Sequence, residues 1–300
     1  MFLLVGHGYW GKNIAKTLHK DLYAVCDLSQ EVLEEISFKY PHTLCYNNIE
    51  DALANDNITA VIIATKAATH FDIAKKVIST GRDLWIEKPA CVTLDETNKL
   101  IELAEEKNVQ IFVDHIMCHD STIKHLKNTI DLSEPVYFES YRLHQGLYQP
   151  DTDVIYDLAT HDLSIIDYLF PEIKLVKKEI IKNNHVNKFA DHAVLNFTFD
   201  NGLRATIICS WVSPVKQRQI LIHCNNIMID LQGSKINCKT IGKLDEKYSI
   251  NSFSNETVID VEQQPGLETA ICAFKKMINK EEIPVTDIYQ AKRIQEWIEQ

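Results

Sequence analysis

The chain of 300 residues is 45% hydrophobic, enough to fill two cores, and its 31 basic against 42 acidic side chains leave a net charge of −11. That acidic balance argues against a nucleic-acid partner, and no apolar run approaches the ~18 residues of a membrane span. Eight cysteines with no CxxC pair read as reduced thiols in a cytoplasmic protein with no obvious zinc set, and a strand beginning at Phe2 leaves no room for a signal peptide.

The first element is a buried strand, Phe2 to Val5, that runs straight into glycines at 6, 8 and 11 and then a helical pattern from Lys12 to Leu18. Gly6 permits the sharp turn, Gly8 lets a pyrophosphate approach the backbone, and Gly11 lets the helix sit close to the strand. The helix start supplies unpaired N–H groups and the positive end of its dipole. A second strand, Leu22 to Cys26, ends in Asp27, where a ribose-binding acid belongs. A carboxylate there favours NAD and repels the 2′-phosphate of NADP. The alternative reading, a merely structural glycine turn, leaves this context unexplained.

Strand signals recur at Leu44 to Tyr46, Ala60 to Ala64, Leu84 to Ile86 and Gln110 to Val113, with amphipathic stretches between them. Thr93 with Glu96 forms a capping box, and Gly81 marks a helix end. The expected fold is α/β, an N-terminal doubly wound parallel sheet over 1–118 whose ligand lies at the carboxyl ends of its strands. Asp27, Thr65 and Glu87-Lys88-Pro89 fall at such ends.

After His119 the rhythm changes to a helix at Ser121 to Thr129, a strand at Val136 to Leu143, a polar loop to Asp153 and a helix over Val154 to Phe170. Leu175 to Val261 reads as successive strands, with Asp200-Asn-Gly202 as a hairpin signal, and two helices close the chain. Residues 119–300 are therefore expected to form one α+β domain. It is built on an open, mostly antiparallel sheet, and the last helix is free to pack back on the first domain.

Lys88, which Pro89 pushes into extended conformation, has the charge to stabilise an alkoxide; a solvated strand-end lysine is the competing reading. Asp157 and His161 are four apart, so on a helix they share a face and the acid orients the imidazole. Flanking Leu158, Ala159, Leu163, Ile165 and Ile166 also suit a plain core histidine. Beside a bound dinucleotide the balance tips toward a base, because removing a hydride from an alcohol requires one. Arg142 is a candidate diphosphate or carboxylate clamp, or else a surface arginine on a strand edge. His70, at a helix start, either touches the cofactor or packs.

GHGYWGKN at 6–13, EKP at 87–89 and DLATHD at 157–162 together resemble the glucose-fructose oxidoreductase / inositol dehydrogenase / MocA superfamily over essentially the whole chain. The resemblance implies a Rossmann domain, an open-sheet second domain, and hydride transfer served by Lys88, Asp157 and His161. Gly8 to Gly11 with Asn13, the run Tyr141 to Gly146, and DVIYDLATHDLSI are similar to bacterial sugar-nucleotide 3-dehydrogenases of polysaccharide biosynthesis. Lys66 stands where that superfamily usually has proline, His144 and Gln145 where the subgroup has Asn and Leu, and Tyr156 where Trp is commoner.

The expected cofactor side is then Gly6, Gly8, Tyr9, Trp10, Gly11, Asp27, Thr65, Lys66, His70 and Glu87, with Arg142, Tyr148 and Tyr156 toward substrate and no metal. The expected activity is NAD-dependent oxidation of a secondary hydroxyl, at C3 of a sugar or nucleotide sugar, with the hydroxyl between Lys88 and His161. The alternatives are an NADP-dependent 3-keto-sugar reductase and a non-catalytic cofactor-binding regulator. The resemblance implies that residues 119–300 bind substrate; the uncovered apolar face of their sheet predicts self-association, and the resemblance implies a homodimer or homotetramer.

Overall fold

The computed structural model describes residues 1–146, 148, 152–186, 188–240 and 254–300, with 254 and 255 described by backbone alone. Parts of the expected 144–153 loop and of the 175–261 strand region therefore lie outside the described residues. The chain divides into two units, Met1–Ile116 with Gly266–Gln300, and Met117–Pro265.

The first unit alternates strand and helix: β1 (Phe2–Val5), α1 (Tyr9–Leu18), β2 (Leu22–Cys26), α2 (Gln30–Lys39), β3 (Leu44–Tyr46), α3 (Ile49–Leu53), β4 (Ala60–Ile63), α4 (Ala67–Ser79), β5 (Asp83–Ile86), α5 (Leu94–Lys107) and β6 (Ile111–Val113). Strands β1, β4 and β6 are buried at every position, as a sheet covered on both faces requires. All pairings are parallel, in the order β3-β2-β1-β4-β5-β6. The order reverses between β1 and β4, which is where such sheets open a ligand crevice. Thr93 and Glu96 form the capping box of α5 in full, and Gly81 closes α4 with a positive φ of 74°.

The second unit comprises α6 (Ser121–Thr129), β7 (Pro135–Gln145), α7 (Thr160–Leu169), β8 (Leu175–Asn183), β9 (His192–Phe199), β10 (Arg204–Ser210), β11 (Val212–Cys224), β12 (Ile227–Gln232), β13 (Lys235–Thr240) and β14 (Ser254–Asp260). They make one eight-stranded sheet, β14-β13-β12-β11-β7-β10-β9-β8, antiparallel except where β10 runs parallel to β7. The Asp200-Asn-Gly202 turn joins β9 to β10, with Gly202 at φ 89°. Along β7, Phe138, Ser140 and Arg142 face the buried side, alternating with half-buried Tyr137, Glu139 and Tyr141. The helix expected from Val154 onward opens as a π-helical turn, Ile155–Ala159, before α7 takes over.

The sequence alone left α8 (Gly266–Ile278) with the second domain and only α9 (Ile288–Glu299) free to return. The structure sets both in the first unit, beginning at Gly266. The cause is one apolar stripe on each. Ala270, Ile271, Phe274 and Met277 of α8 join Phe2, Leu4, Trp85 and Phe112 on the sheet face that α1 and α2 cover, with Phe274 set edge-on to Trp85 at 5.6 Å. Ile288 and Ala291 of α9 join the opposite face with α4 and α5. Each large side chain so buried contributes about 1.5–3 kcal/mol, so leaving either helix off this sheet would expose a core face.

Candidate active site

The glycine loop between β1 and α1 is fixed by what a side chain would strike. A Cβ on Gly6, whose φ is 89°, would lie 2.8 Å from the Thr65 methyl and 2.9 Å from the Ala64 carbonyl; on Gly11 it would lie 2.2 Å from the Gly6 carbonyl oxygen. A Cβ on Gly8 meets no protein atom within 4 Å. Gly8 is also the N-cap of α1, with no side-chain cap, so the first N–H groups of a ten-residue helix face that open space. This is the form of an anion cradle. Asp27 braces it: its Oδ2 accepts the His7 N–H at 2.8 Å and its Oδ1 the Ser29 N–H at 2.9 Å, leaving further lone pairs for ribose hydroxyls. Tyr9 is exposed beside it, and Trp10 is half-buried with its indole N–H donated to Asp114 Oδ2 at 3.3 Å.

Thr65 and Lys66 lie at the end of β4 as expected, Lys66 exposed as the N-cap of α4 and Thr65 Oγ1 accepting from the Thr69 hydroxyl. His70 does not reach toward a ligand. It is buried, with Nδ1 2.9 Å from the Pro89 carbonyl and Nε2 3.1 Å from the Thr65 carbonyl, and burial holds its pKa below the usual value. It is a strut between the two loops at the strand ends, which corrects its expected place among the cofactor contacts.

Glu87 is corrected in the same way. Its Oε1 is sealed from solvent and its carboxyl bonds the buried carboxyl of Asp114; burial first, then the charge of Asp114, pushes its pKa well up. Burial pushes Asp114 up to about 6. Lys88, half-buried, pulls both acids the other way by its charge, so its ammonium stands close to this carboxyl pair. Asp114 was not singled out in the sequence; its only signal there is an acid at the end of β6, on the same sheet edge.

In the second unit the π turn carries Tyr156 and Asp157, and α7 carries His161, all three half-buried. Asp153 starts the turn, its Oδ1 accepting the N–H groups of Ile155 and Tyr156 at 3.0 and 3.2 Å. Asp157 Oδ2 accepts the indole N–H of fully buried Trp211 at 3.1 Å, a contact that sequence reasoning missed. Tyr148 is partly exposed and packs edge-on against the same Trp211 at 5.8 Å. An acid held from behind, with an imidazole one turn on, is the form of a supported base. π turns recur at functional sites because the extra residue re-aims side chains.

Arg142 fits neither sequence reading. It lies inside β7 with β10 and β11 on either side, is buried, and its Nε and one terminal nitrogen each donate to a different oxygen of Asp162 at 2.9 Å. Its fork is filled by a protein carboxylate. Among the described residues, no group of three or more His, Cys, Asp or Glu side chains is arranged to hold a metal, and no helix is long and apolar enough to cross a membrane.

The strand order, the open cradle over Gly8 and the strand-end acid define a dinucleotide-binding α/β unit, here joined to a unit built on a mostly antiparallel sheet. The family model described as the oxidoreductase family with an NAD-binding Rossmann fold, GFO/IDH/MocA, matches residues 1–115, and that family's C-terminal domain matches 132–230. The chain belongs to the GFO/IDH/MocA oxidoreductase family.

It is 31% identical over 175 residues to a UDP-N-acetylglucosamine 3-dehydrogenase of Acidithiobacillus ferrooxidans, a match covering 57% of this chain and 54% of that protein. It is 28% identical over 177 residues to a scyllo-inositol 2-dehydrogenase (NAD(+)) of Bacillus subtilis, covering 55% and 52%. The chain thus spans about half the length of these curated relatives. The solved structure of a UDP-N-acetylglucosamine 3-dehydrogenase from A. ferrooxidans superimposes with a TM-score of 0.87 at 23% identity, covering 98% of this chain and 94% of that one, and so shares its fold.

Proposed function

We propose that this chain is an NAD-dependent dehydrogenase that oxidises a secondary hydroxyl of a sugar or nucleotide sugar, C3 being the position named for one relative. The observation that carries the reading is the cradle: a loop closed to side chains at Gly6 and Gly11 yet open above Gly8, over an uncapped helix start. Asp27 selects NAD, because its carboxylate would repel a 2′-phosphate. Bound there, the nicotinamide supplies a hydride acceptor.

The chain's own residues do the rest. His161 takes the hydroxyl proton. Asp157, whose carboxylate is pinned by Trp211, supports the positive charge of the ring. Lys88 supplies a charge for the alkoxide as it forms. Tyr148 and Tyr156 offer ring faces and hydroxyls to the sugar. The eight cysteines, all free thiols, favour a cytoplasmic setting, and the open sheet of the second unit favours a homodimer or homotetramer, which sedimentation at micromolar concentration tests.

The decisive experiment incubates the protein with NAD and a panel of UDP-, GDP- and dTDP-sugars and inositols while absorbance of the reduced nicotinamide is followed. One of these substrates is expected to reduce NAD, and Lys88→Ala and His161→Ala are each expected to lower turnover at least 100-fold with NAD affinity unchanged. Full activity in both variants would reject the assignment.

A further inference from the structure

Arg142 is filled by Asp162, but directly across the β7–β11 ladder from it stands a second arginine, Arg218. The two share one face of the sheet, since partners in register point the same way. Arg218 is exposed at residue level, and neither it nor Lys216 has a carboxylate within ion-pair distance among the described residues.

The strand is broken beside them. Val212 pairs with Gln145 and Gln217 with Leu143, so four residues of β11, 213–216, bulge opposite the single residue His144. The bulge takes β11 away from His144 and brings Lys216 to its rim. The His144 ring lies against Gly146, where any Cβ would come within 2.0 Å of its Nδ1. Burial first and then the charge of Arg218 hold the pKa of His144 below normal, Lys216 adding to the effect and Asp157 opposing it. Although Arg218 reaches solvent, the partial burial of its side chain and then the charge of Arg142 depress its pKa, with Asp162 opposing them. Of the acids near this group, Asp162 is bonded twice by Arg142, while Asp157 accepts the neutral indole N–H of Trp211 and keeps its charge.

A cluster of cations that oppose one another is unfavourable alone and favourable around an anion. We propose that Arg218, Lys216 and His144 form an anion subsite at the bulged end of the β7–β11 pair, and that it takes the diphosphate of a nucleotide sugar. The guanidinium fork suits two phosphate oxygens, the lysine adds a mobile point charge, and together they match a group bearing two negative charges. A neutral polyol would bring no negative charge to either cation. The subsite lies beside Asp157, so it fits a substrate whose sugar is at the proposed base. It rests on the dehydrogenase reading for that purpose, and it chooses among that reading's substrates.

The test titrates the full chain, saturated with NAD to fill the glycine cradle, with inorganic pyrophosphate, UDP and glucuronate by calorimetry. Pyrophosphate and UDP are expected to bind, with affinity at least tenfold weaker in Arg218→Gln and about threefold to tenfold weaker in Lys216→Gln. Thermal melts equal to wild type would establish that the variants fold. No pyrophosphate binding, or binding indifferent to both substitutions, overturns the subsite; Arg218-dependent binding of glucuronate alone overturns its assignment to a diphosphate.

The same panel read by NAD reduction separates the two proposals. Arg218-dependent pyrophosphate binding without any sugar oxidation keeps the subsite and rejects the dehydrogenase. Nucleotide-sugar oxidation with an unchanged KM in Arg218→Gln keeps the dehydrogenase and rejects the subsite.

Discussion

Trp211 donates its indole N–H to Asp157 across 3.1 Å, joining two residues 54 positions apart. A hydrogen bond to a charged acceptor contributes about 1.5–3 kcal/mol. If the bond serves to orient the acid behind the base, its loss falls on turnover. Trp211→Phe is therefore expected to lower kcat about tenfold to 100-fold while NAD affinity, measured by fluorescence titration, stays at the wild-type value. An unchanged kcat would make the contact structural only.

The pairing also marks how far the sequence could be read. The glycine cradle, the Thr93 capping box and the Asn-Gly turn before Leu203 were legible because each is set by residues within a few positions of one another. Asp157 and His161 were singled out by their spacing, and Lys88 by the proline after it; the π turn that carries Asp157 had no signal in that spacing. What stayed hidden depends on distant chain segments meeting: Trp211 behind Asp157, Asp162 filling the fork of Arg142, and Asp114 beneath Glu87. The return of α8 to the first sheet was hidden for the same reason, since its apolar stripe says that it packs but not on what. Arg142 shows the limit most sharply. Its position on a strand was read correctly and its solvent exposure was not.

Arg142 and Asp162 together make a test of that correction. Removing one partner strands a charge in the interior, which costs about 3–5 kcal/mol, whereas replacing both with apolar side chains of similar size is often neutral. Arg142→Gln is expected to lower the urea midpoint strongly, and Arg142→Met combined with Asp162→Leu to recover most of the loss. A ligand clamp would behave otherwise, with substrate KM rising and the midpoint holding.

The Glu87–Asp114 pair predicts a pH dependence of stability. Burial raises both carboxyls above their unfolded values, Asp114 to about 6, so the folded state binds more protons than the unfolded chain. Stability from Asp114 is then fully present below its unfolded value of about 4 and is lost as pH rises through about 6. Asp114→Asn keeps an acceptor for the Trp10 N–H and stays neutral throughout. Its melting temperature is expected to match wild type near pH 4 and to exceed it at pH 7.5, by a difference on the order of 2 kcal/mol in stability. A gap between the two proteins that is constant with pH would show that Asp114 does not titrate in this range.

Gly8 and Gly11 are three residues apart in one loop, yet the space around them predicts opposite outcomes for the same substitution. Gly8 has a negative φ of −71° and open space where a Cβ would go, so Gly8→Ala strains nothing and costs only the small difference between Gly and Ala at an N-cap. The only thing the new methyl can exclude is a ligand on the helix start. NAD affinity is expected to fall at least tenfold with stability kept within about 1 kcal/mol. In Gly11→Ala the methyl would lie 2.2 Å from the Gly6 carbonyl oxygen, a backbone atom that cannot swing aside, so α1 must move off β1. That variant is expected to lose about 1–3 kcal/mol of stability, read as a lower urea midpoint without any cofactor present. Wild-type NAD affinity in Gly8→Ala would mean that the pyrophosphate does not sit over this loop, and the cradle would then be a structural turn.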